Sequence, residues 1–131
     1  MKFKCLINVT YFQFASLARY ESTLVIAEHN NENLFPLTCN TLTAAKKIGG
    51  DITVLVAGTK CQTVAQNACK AKGVSKVFLA DSDAFKGFTA ESLTPLILKL
   101  CNEHKFTHIL AGASAFGKAL LPRVSLQFIL F

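Results

Sequence analysis

The chain lacks several features that mark common functional classes. Its 131 residues include no tryptophan, and its five cysteines form no C-x-x-C pair, so the ligand spacing of a zinc or dithiol redox site is missing. Scattered cysteines of this kind are typical of small buried thiols in a reducing compartment. No apolar run is long enough to span a bilayer. We therefore predict one globular domain without a metal site, disulfide staples or a transmembrane segment.

Charge is scarce as well, since charged residues make up 17% of the chain and apolar residues 51%. The lysines are dispersed, with no run longer than Lys46–Lys47. Nucleic-acid-binding domains instead concentrate basic residues in patches interleaved with aromatic residues. The composition predicts a well-buried core and no nucleic-acid partner.

Acidic residues are absent from the first twenty positions, "MKFKCLINVTYFQFASLARY". This segment carries three basic residues, which account for half of the net charge of +6: Lys2, Lys4 and Arg19. A secretory signal would use residues 5–14 as its apolar part and residues 16–18 as its cleavage site. A mitochondrial presequence would be cleaved near residue 20. The residues themselves leave both kinds of leader open.

After this segment, four apolar runs alternate with helix-like segments. The runs are STLVIA (22–27), ITVLVA (52–57), KVFLA (76–80) and THILAG (107–112). Runs that are apolar on both faces are typical of parallel strands covered by helices on both sides. The alternation predicts an α/β fold with a doubly wound, mainly parallel, Rossmann-like sheet of strand order 3-2-1-4. We expect this sheet to be incomplete at its C-terminal end, with the fourth strand at its edge.

Helix boundaries have their own signals. The predicted helices are 41–48, 61–72 and 89–105, and a fourth follows the last strand. Gly49 and Gly73 are stop signals, Thr89 is an N-cap candidate, and Pro95 limits how far the third helix extends before it without a kink. The apolar faces predicted for the second and third helices are Val64, Ala65, Ala68 and Cys69, and Leu93, Leu96, Ile97, Leu100 and Cys101.

The stretch "GASAFGK" (112–118) follows the fourth predicted strand. Ligands of doubly wound sheets bind beyond the carboxyl ends of the strands, where this loop and the loop 28–36 are expected to meet. Backbone N–H groups at a helix N-terminus could bind an anion there, with Ser114, Gly117 and Lys118 as candidate residues. The stretch matches neither G-x-G-x-x-G nor the Walker pattern. Tight packing of the fourth helix and a partner-facing surface are the other two interpretations.

The remaining polar candidates support no catalytic or metal site. His29 has Glu28 beside it but no serine or cysteine placed as a nucleophile, and His104 and His108 lack clustered acids. Asp81 and Asp83 could pair as acids, although Asp-Ser-Asp before a glycine is more often turn chemistry. We predict turn chemistry here, no catalytic residues and no bound metal.

Two long stretches closely resemble the alpha subunit of electron transfer flavoprotein. They are residues 22–61 and the segments LTPLILKL and THILAGASAFGKALLPR, and the resemblance covers nearly all of residues 21–123. Its most specific parts are TLVIAEH, VLVAGTKC and GASAFGKALLPR. The resemblance implies an electron carrier rather than an enzyme, paired with a beta subunit in the mitochondrial matrix. Such a carrier takes electrons from acyl-CoA and other flavin dehydrogenases, as in fatty acid beta-oxidation, and passes them to a membrane quinone oxidoreductase.

The resemblance also implies where this chain departs from the family. The family's FAD-binding residues lie in a C-terminal half to which nothing in residues 1–131 corresponds, and the sequence leaves the family pattern near 125–131. We therefore expect a mitochondrial leader (1–20) and a partial N-terminal α/β domain (21–131). FAD is expected in full-length relatives and not on this chain alone. The family's AMP is held by the beta subunit, which favours the packing interpretation of GASAFGK.

Two alternatives to an electron-carrier fragment remain. One is a stand-alone α/β module that binds an anion or nucleotide through Ser114, Gly117 and Lys118. The other is a truncated product without function.

Overall fold

A computed structural model describes the backbone of residues 3–6 and 21–130, and the side chains of residues 21–129. Its elements alternate between strand and helix along most of the chain. They are β1 (Phe3–Leu6), β2 (Ser22–Ile26), α1 (Pro36–Ile48), β3 (Asp51–Gly58), α2 (Gln62–Lys70), β4 (Lys76–Asp81), a 3₁₀ turn (Asp83–Phe85), α3 (Ala90–His104), β5 (His108–Ala111) and α4 (Ala115–Leu130).

The strands form one sheet in the order β1-β4-β3-β2-β5. Strands β2 to β5 are parallel where they pair, which confirms the predicted order 3-2-1-4, and β5 ends the sheet. β1 pairs antiparallel with β4 at the opposite edge. The sequence analysis missed β1 because its lysine residue fits a targeting leader as well as an edge strand.

Helices cover both faces of the sheet. α1 and α2 pack on one face, where the core includes Val25, Val54 and Val77. α3 and α4 pack on the other, where it includes Leu24 and Leu55. Successive residues of β2 therefore enter opposite cores, which explains why its sequence is apolar without alternation.

The predicted helices are present with shifted ends. α1 begins at Pro36 rather than residue 41, with proline in the first turn, where its missing N–H costs no helical hydrogen bond. Thr89 occupies the N-cap position of α3, and all five predicted apolar residues of that helix are buried. Pro95 lies inside α3, which begins well before it at Ala90.

Cys5 lies outside the residues whose side chains are described, and the other four cysteines divide into two classes. Cys61 and Cys101 are buried, and burial raises the pKa of each thiol to about 11, with the negative charge of Asp81 adding to the effect at Cys61. Cys39 and Cys69 are exposed. The prediction of buried thiols is therefore wrong for these two. Cys69 is exposed because it lies one position, or about 100° of helix, beyond the buried Ala68.

α4 is the longest helix of the described residues and contains Pro122 in its interior. The proline removes one backbone donor from the helix. One turn later, the Ser125 hydroxyl donates a hydrogen bond to the Pro122 carbonyl (2.9 Å). Among the helices in the described residues, none combines the length and apolar character needed to cross a membrane.

Two buried threonines differ in hydrogen bonding, which predicts opposite effects of the same substitution. Thr23 is fully buried, and its Oγ1 has no hydrogen-bond partner in the described part of the chain. The Thr38 Oγ1 accepts from the Glu28 N–H (2.9 Å) and donates to the Glu28 carbonyl (3.1 Å). We expect Thr23→Val to raise the free energy of unfolding by about 1 kcal/mol and Thr38→Val to lower it by about 1–3 kcal/mol.

Urea unfolding followed by circular dichroism measures both effects. Each substitution preserves side-chain shape at a buried position, so the two variants control for each other. Changes of the same sign would contradict the prediction.

Candidate site at the carboxyl edge of the sheet

The loops that follow β2 and β5 meet at the carboxyl edge of the sheet, as predicted. The Ser114 Oγ donates a hydrogen bond to the Glu28 Oε1 at 2.7 Å, across 86 positions of sequence. β2 lies between β3 and β5 in the sheet, so this contact sits where the strand order reverses. Such switch points are the usual ligand positions of α/β sheets.

Ser114 is the N-cap residue of α4. Its Oγ accepts from the Gly117 N–H (3.0 Å), and its carbonyl accepts from the Lys118 N–H (3.0 Å). The buried carboxyl group of Glu28 therefore lies beside the helix N-terminus, where a negative charge is stabilised. Anion binding by Ser114, Gly117 and Lys118 stays a prediction, and any external anion would meet the Glu28 carboxylate there. The Lys118 side chain is exposed.

The small residues of this stretch allow close approach. A Cβ atom on Gly117 would lie 1.9 Å from the Gly112 carbonyl oxygen. A Cβ atom on Gly112 would lie 2.7 Å from the Leu37 side chain and 3.1 Å from the Glu28 Oε1. These distances support the packing interpretation. A side chain at Gly112 or Gly117 would push the start of α4 away from β5 and α1.

His29 in the first loop is held as a neutral imidazole. Its Nε2–H donates to the Ala57 carbonyl (2.9 Å), and its Nδ1 accepts from the Asn31 N–H (3.1 Å). Burial lowers the pKa of His29, and the hydrogen bond to Ala57 only partly opposes this shift. Both ring nitrogens are engaged in positioning the loop, so the arrangement gives His29 a structural role rather than that of a free general base.

An aromatic cluster links the loops above the sheet. The His29 ring meets Phe88 edge-on at 5.5 Å, and Phe88 stacks against Phe116 at 4.3 Å between ring centroids. The backbone of Phe88 is left-handed, with φ of 50°, a conformation that bulky residues rarely adopt. The sequence analysis missed this cluster because its members lie far apart in the chain.

A turn joins Asp81, the last residue of β4, to Asp83. The Asp81 Oδ1 accepts from the Lys60 N–H (2.9 Å), and the Ser82 Oγ accepts from the Ala84 N–H (3.3 Å) at the start of the 3₁₀ turn that begins with Asp83. These contacts agree with turn chemistry rather than a pair of catalytic acids.

The other histidines serve local packing. His104 packs against Phe78 (4.9 Å), and His108 hydrogen bonds through Nδ1 to the Thr107 hydroxyl (2.9 Å). Across the described ranges 3–6 and 21–130, no three His, Cys, Asp or Glu residues are grouped so that they could hold a metal ion.

Known proteins resemble this chain over most of its length. Residues 23–127, which span β2 to most of α4, match the family described as "Electron transfer flavoprotein domain". The "Probable electron transfer flavoprotein subunit alpha, mitochondrial" of Caenorhabditis elegans is 40% identical over 111 residues, which are 85% of this chain and 33% of the relative.

Two further relatives are the "Electron transfer flavoprotein subunit alpha" of Pseudomonas aeruginosa and the mitochondrial alpha subunit of Dictyostelium discoideum. The first is 51% identical over 78% of this chain, and the second is 46% identical over 81%. In both cases the match covers 32% of the relative. The chain thus spans about a third of the length of these relatives.

Proposed function

Since the chain belongs to the electron transfer flavoprotein family as an N-terminal domain of the alpha-subunit type, we propose that it acts as a structural domain of an electron carrier. Its role is to pair with a beta subunit, and it performs no chemistry of its own. The observation that carries this proposal is the family match over residues 23–127, which includes both loops at the carboxyl edge.

The geometry of the carboxyl edge supports a structural role. Glu28 is tied to Ser114, His29 to Ala57 and Asn31, and Asp81 to Lys60. These side chains organise the protein's own loops, so they are not poised as an acid, a base or a nucleophile. In the complete carrier, electrons would pass from acyl-CoA and other flavin dehydrogenases to a membrane quinone oxidoreductase through FAD held outside this domain.

The proposal includes a cellular location. Two of the relatives above carry "mitochondrial" in their names, and the bacterial relative is 51% identical. We propose that residues 1–20 act as a mitochondrial leader and that the domain of residues 21–131 resides in the matrix, so that β1 belongs to the precursor and β4 becomes the edge strand after the leader is removed. A positively charged leader is drawn toward the negative interior of an energised organelle.

Mixing experiments with a purified beta subunit test the proposal. We expect a one-to-one complex by gel filtration with light scattering, with a full-length alpha subunit as the positive control. The chain incubated with FAD should emerge from gel filtration without flavin absorbance, because the resemblance places the family's FAD-binding residues in a C-terminal half outside the matched residues 23–127. Stoichiometric flavin on the chain alone would contradict the proposal.

Titration with AMP and ATP distinguishes the alternatives. A stand-alone nucleotide module would bind a nucleotide but not the beta subunit, and Ser114→Ala would abolish its nucleotide binding. A folded chain that binds neither the beta subunit nor a nucleotide would indicate a product without function.

A further inference from the structure

A cavity of about 290 Å³ lies at the amino ends of the strands, on the side of the sheet that α3 covers. It is bounded by the beginnings of β2, β3 and β4 and by the end of α3. The residues that line it fall between positions 22 and 106, so neither the predicted leader nor the last turns of α4 contribute to it. Its polar lining is Ser22, Asp51, Thr53, Lys76, His104 and Lys105.

A buried hydroxyl group without a partner belongs to this lining. Thr53 is 4% exposed, and no hydrogen bond joins its side chain to another residue in the described part of the chain. In that part, only the Thr23 Oγ1 is both fully enclosed and unpartnered, so the Thr53 hydroxyl keeps access to the space of the cavity. Burying an unpartnered hydroxyl group is unfavourable, and such a group often marks a bound water or ligand.

Two lysines bring positive charge to the cavity. Lys105 follows α3 with a left-handed backbone (φ of 53°), at a position where glycine is the usual residue. Within the described residues, no ion pair engages its ammonium group. Lys76 supplies a second ammonium group, and Asp51 is the single carboxylate of the described lining. The lining therefore has a net charge of +1 when the imidazole of His104 is neutral.

Two phenylalanine rings orient that imidazole. The centroid of the His104 ring lies 4.9 Å from that of Phe78 and 5.8 Å from that of Phe106. Neither ring nitrogen of His104 is hydrogen-bonded to another residue of the described ranges. The imidazole can therefore bond to a ligand, and the two phenylalanines, which also line the cavity, offer an apolar wall to its carbon atoms.

The lining indicates the chemistry of the ligand. Lysine binds phosphate as a point charge, whereas a planar carboxylate is best matched by the arginine fork, and the described lining contains no arginine. The Asp51 carboxylate repels a second anionic group but accepts a hydrogen bond from a hydroxyl group. The volume corresponds to about ten water molecules, which is too small for a nucleotide.

We propose that this cavity binds a small phosphate monoester that also carries a hydroxyl group. The phosphoryl oxygens accept from the Lys105 ammonium group and from the Thr53 hydroxyl group, and the hydroxyl group of the ligand donates to Asp51. The site lies at the opposite edge of the sheet from Ser114 and Glu28 and does not require a beta subunit.

Titration of the isotope-labelled full chain with glycerol phosphate at constant ionic strength tests the proposal. Amide chemical shifts should saturate and should be centred on Thr53 and residues 104–106. Glycerate carries a carboxylate in place of the phosphate, so it should bind at least about tenfold more weakly. Inorganic phosphate should compete at the same residues, and glycerol should produce no saturable shifts.

Thr53→Val tests the buried hydroxyl group. The substitution preserves the shape of the side chain and removes a donor to the phosphate, so the Kd for glycerol phosphate should rise about tenfold or more. Thr23→Val is the matched control, because Thr23 is also buried and unpartnered among the described residues but does not line the cavity. Its Kd should change by less than about twofold. Circular dichroism should be unchanged in both variants, since neither hydroxyl group loses a partner.

Lys105→Gln tests the charge. The remaining ammonium group would face both Asp51 and the negative end of the α3 dipole, so the Kd should rise about tenfold or more. Lys47→Gln removes the same charge from the last turn of α1, at an exposed position outside the cavity. That control should change the Kd by less than about threefold.

Several results would overturn the proposal. Shifts that do not saturate would leave water as the partner of the Thr53 hydroxyl group. Shifts centred on Ser114 would place the anion at the carboxyl edge instead. Equal effects of the two lysine substitutions would indicate attraction to net positive charge without a defined site. Equal effects of the two threonine substitutions, or glycerate binding as tight as that of glycerol phosphate, would also contradict it.

Discussion

Gly117→Ala is expected to destabilise the domain by at least about 3 kcal/mol, although alanine is the better helix former by about 1 kcal/mol. Gly117 lies in the first turn of α4, and a Cβ atom there would come within 1.9 Å of the Gly112 carbonyl oxygen. That oxygen belongs to the backbone and cannot rotate away. The start of α4 must therefore move, which also strains the hydrogen bonds that Ser114 makes to Gly117 and Glu28.

Gly87→Ala is the control for this prediction. Gly87 has a φ of +87°, and nothing lies within 4 Å of its added Cβ. Only backbone strain opposes alanine there, so we expect a loss of about 1 kcal/mol. Urea unfolding of the two variants at one protein concentration gives the comparison. Equal losses would show that close approach of α4 does not determine stability.

Leu120→Ala is expected to lower the free energy of unfolding by about 2–5 kcal/mol. The Leu120 side chain is fully buried and belongs to the core between the sheet and the α3–α4 layer. Truncation removes apolar contacts and leaves a cavity that the neighbouring side chains fill only partly. Because domains are stable by only about 5–15 kcal/mol, this loss is large enough to shift the urea midpoint strongly.

Leu126→Ala on the same helix separates core packing from helix propensity. Leu126 is 57% exposed, so the identical substitution should change stability by no more than about 0.5 kcal/mol. If both variants lost the same free energy, α4 would not be docked through Leu120.

Strands β2 to β5 could be predicted from sequence because each lies in a short apolar run. In β2, Leu24 and Val25 enter different cores, and their side chains alternate as the predicted parallel sheet requires. β1 was missed because a lysine within four residues fits an edge strand and a leader equally well. Cys69 was placed in the core because helical periodicity locates the edge of a buried helix face only to within about one residue.

At the candidate site, the sequence predicted that the loops 28–36 and 112–118 meet, and the hydrogen bond between Ser114 and Glu28 agrees with this. It did not predict that Glu28 would supply the negative charge at the N-terminus of α4. Nor did it identify the stacking of Phe88 on Phe116. Propensity and periodicity describe neighbours along the chain, whereas these partners are separated by many residues.

The sequence by itself determined the α/β class, the strand order and the family, because apolar runs, glycine stops and the GASAFGKALLPR stretch are local and persist in any environment. Only the tertiary structure decided which polar groups are satisfied. Thr38 bonds to Glu28 while Thr23 has no partner in the described residues, although both are buried threonines. It also decided that Gly117 must remain glycine, since the oxygen that excludes a side chain comes from Gly112 beyond the helix. Close packing brings these groups together, and it does so only after the helices have packed on the sheet.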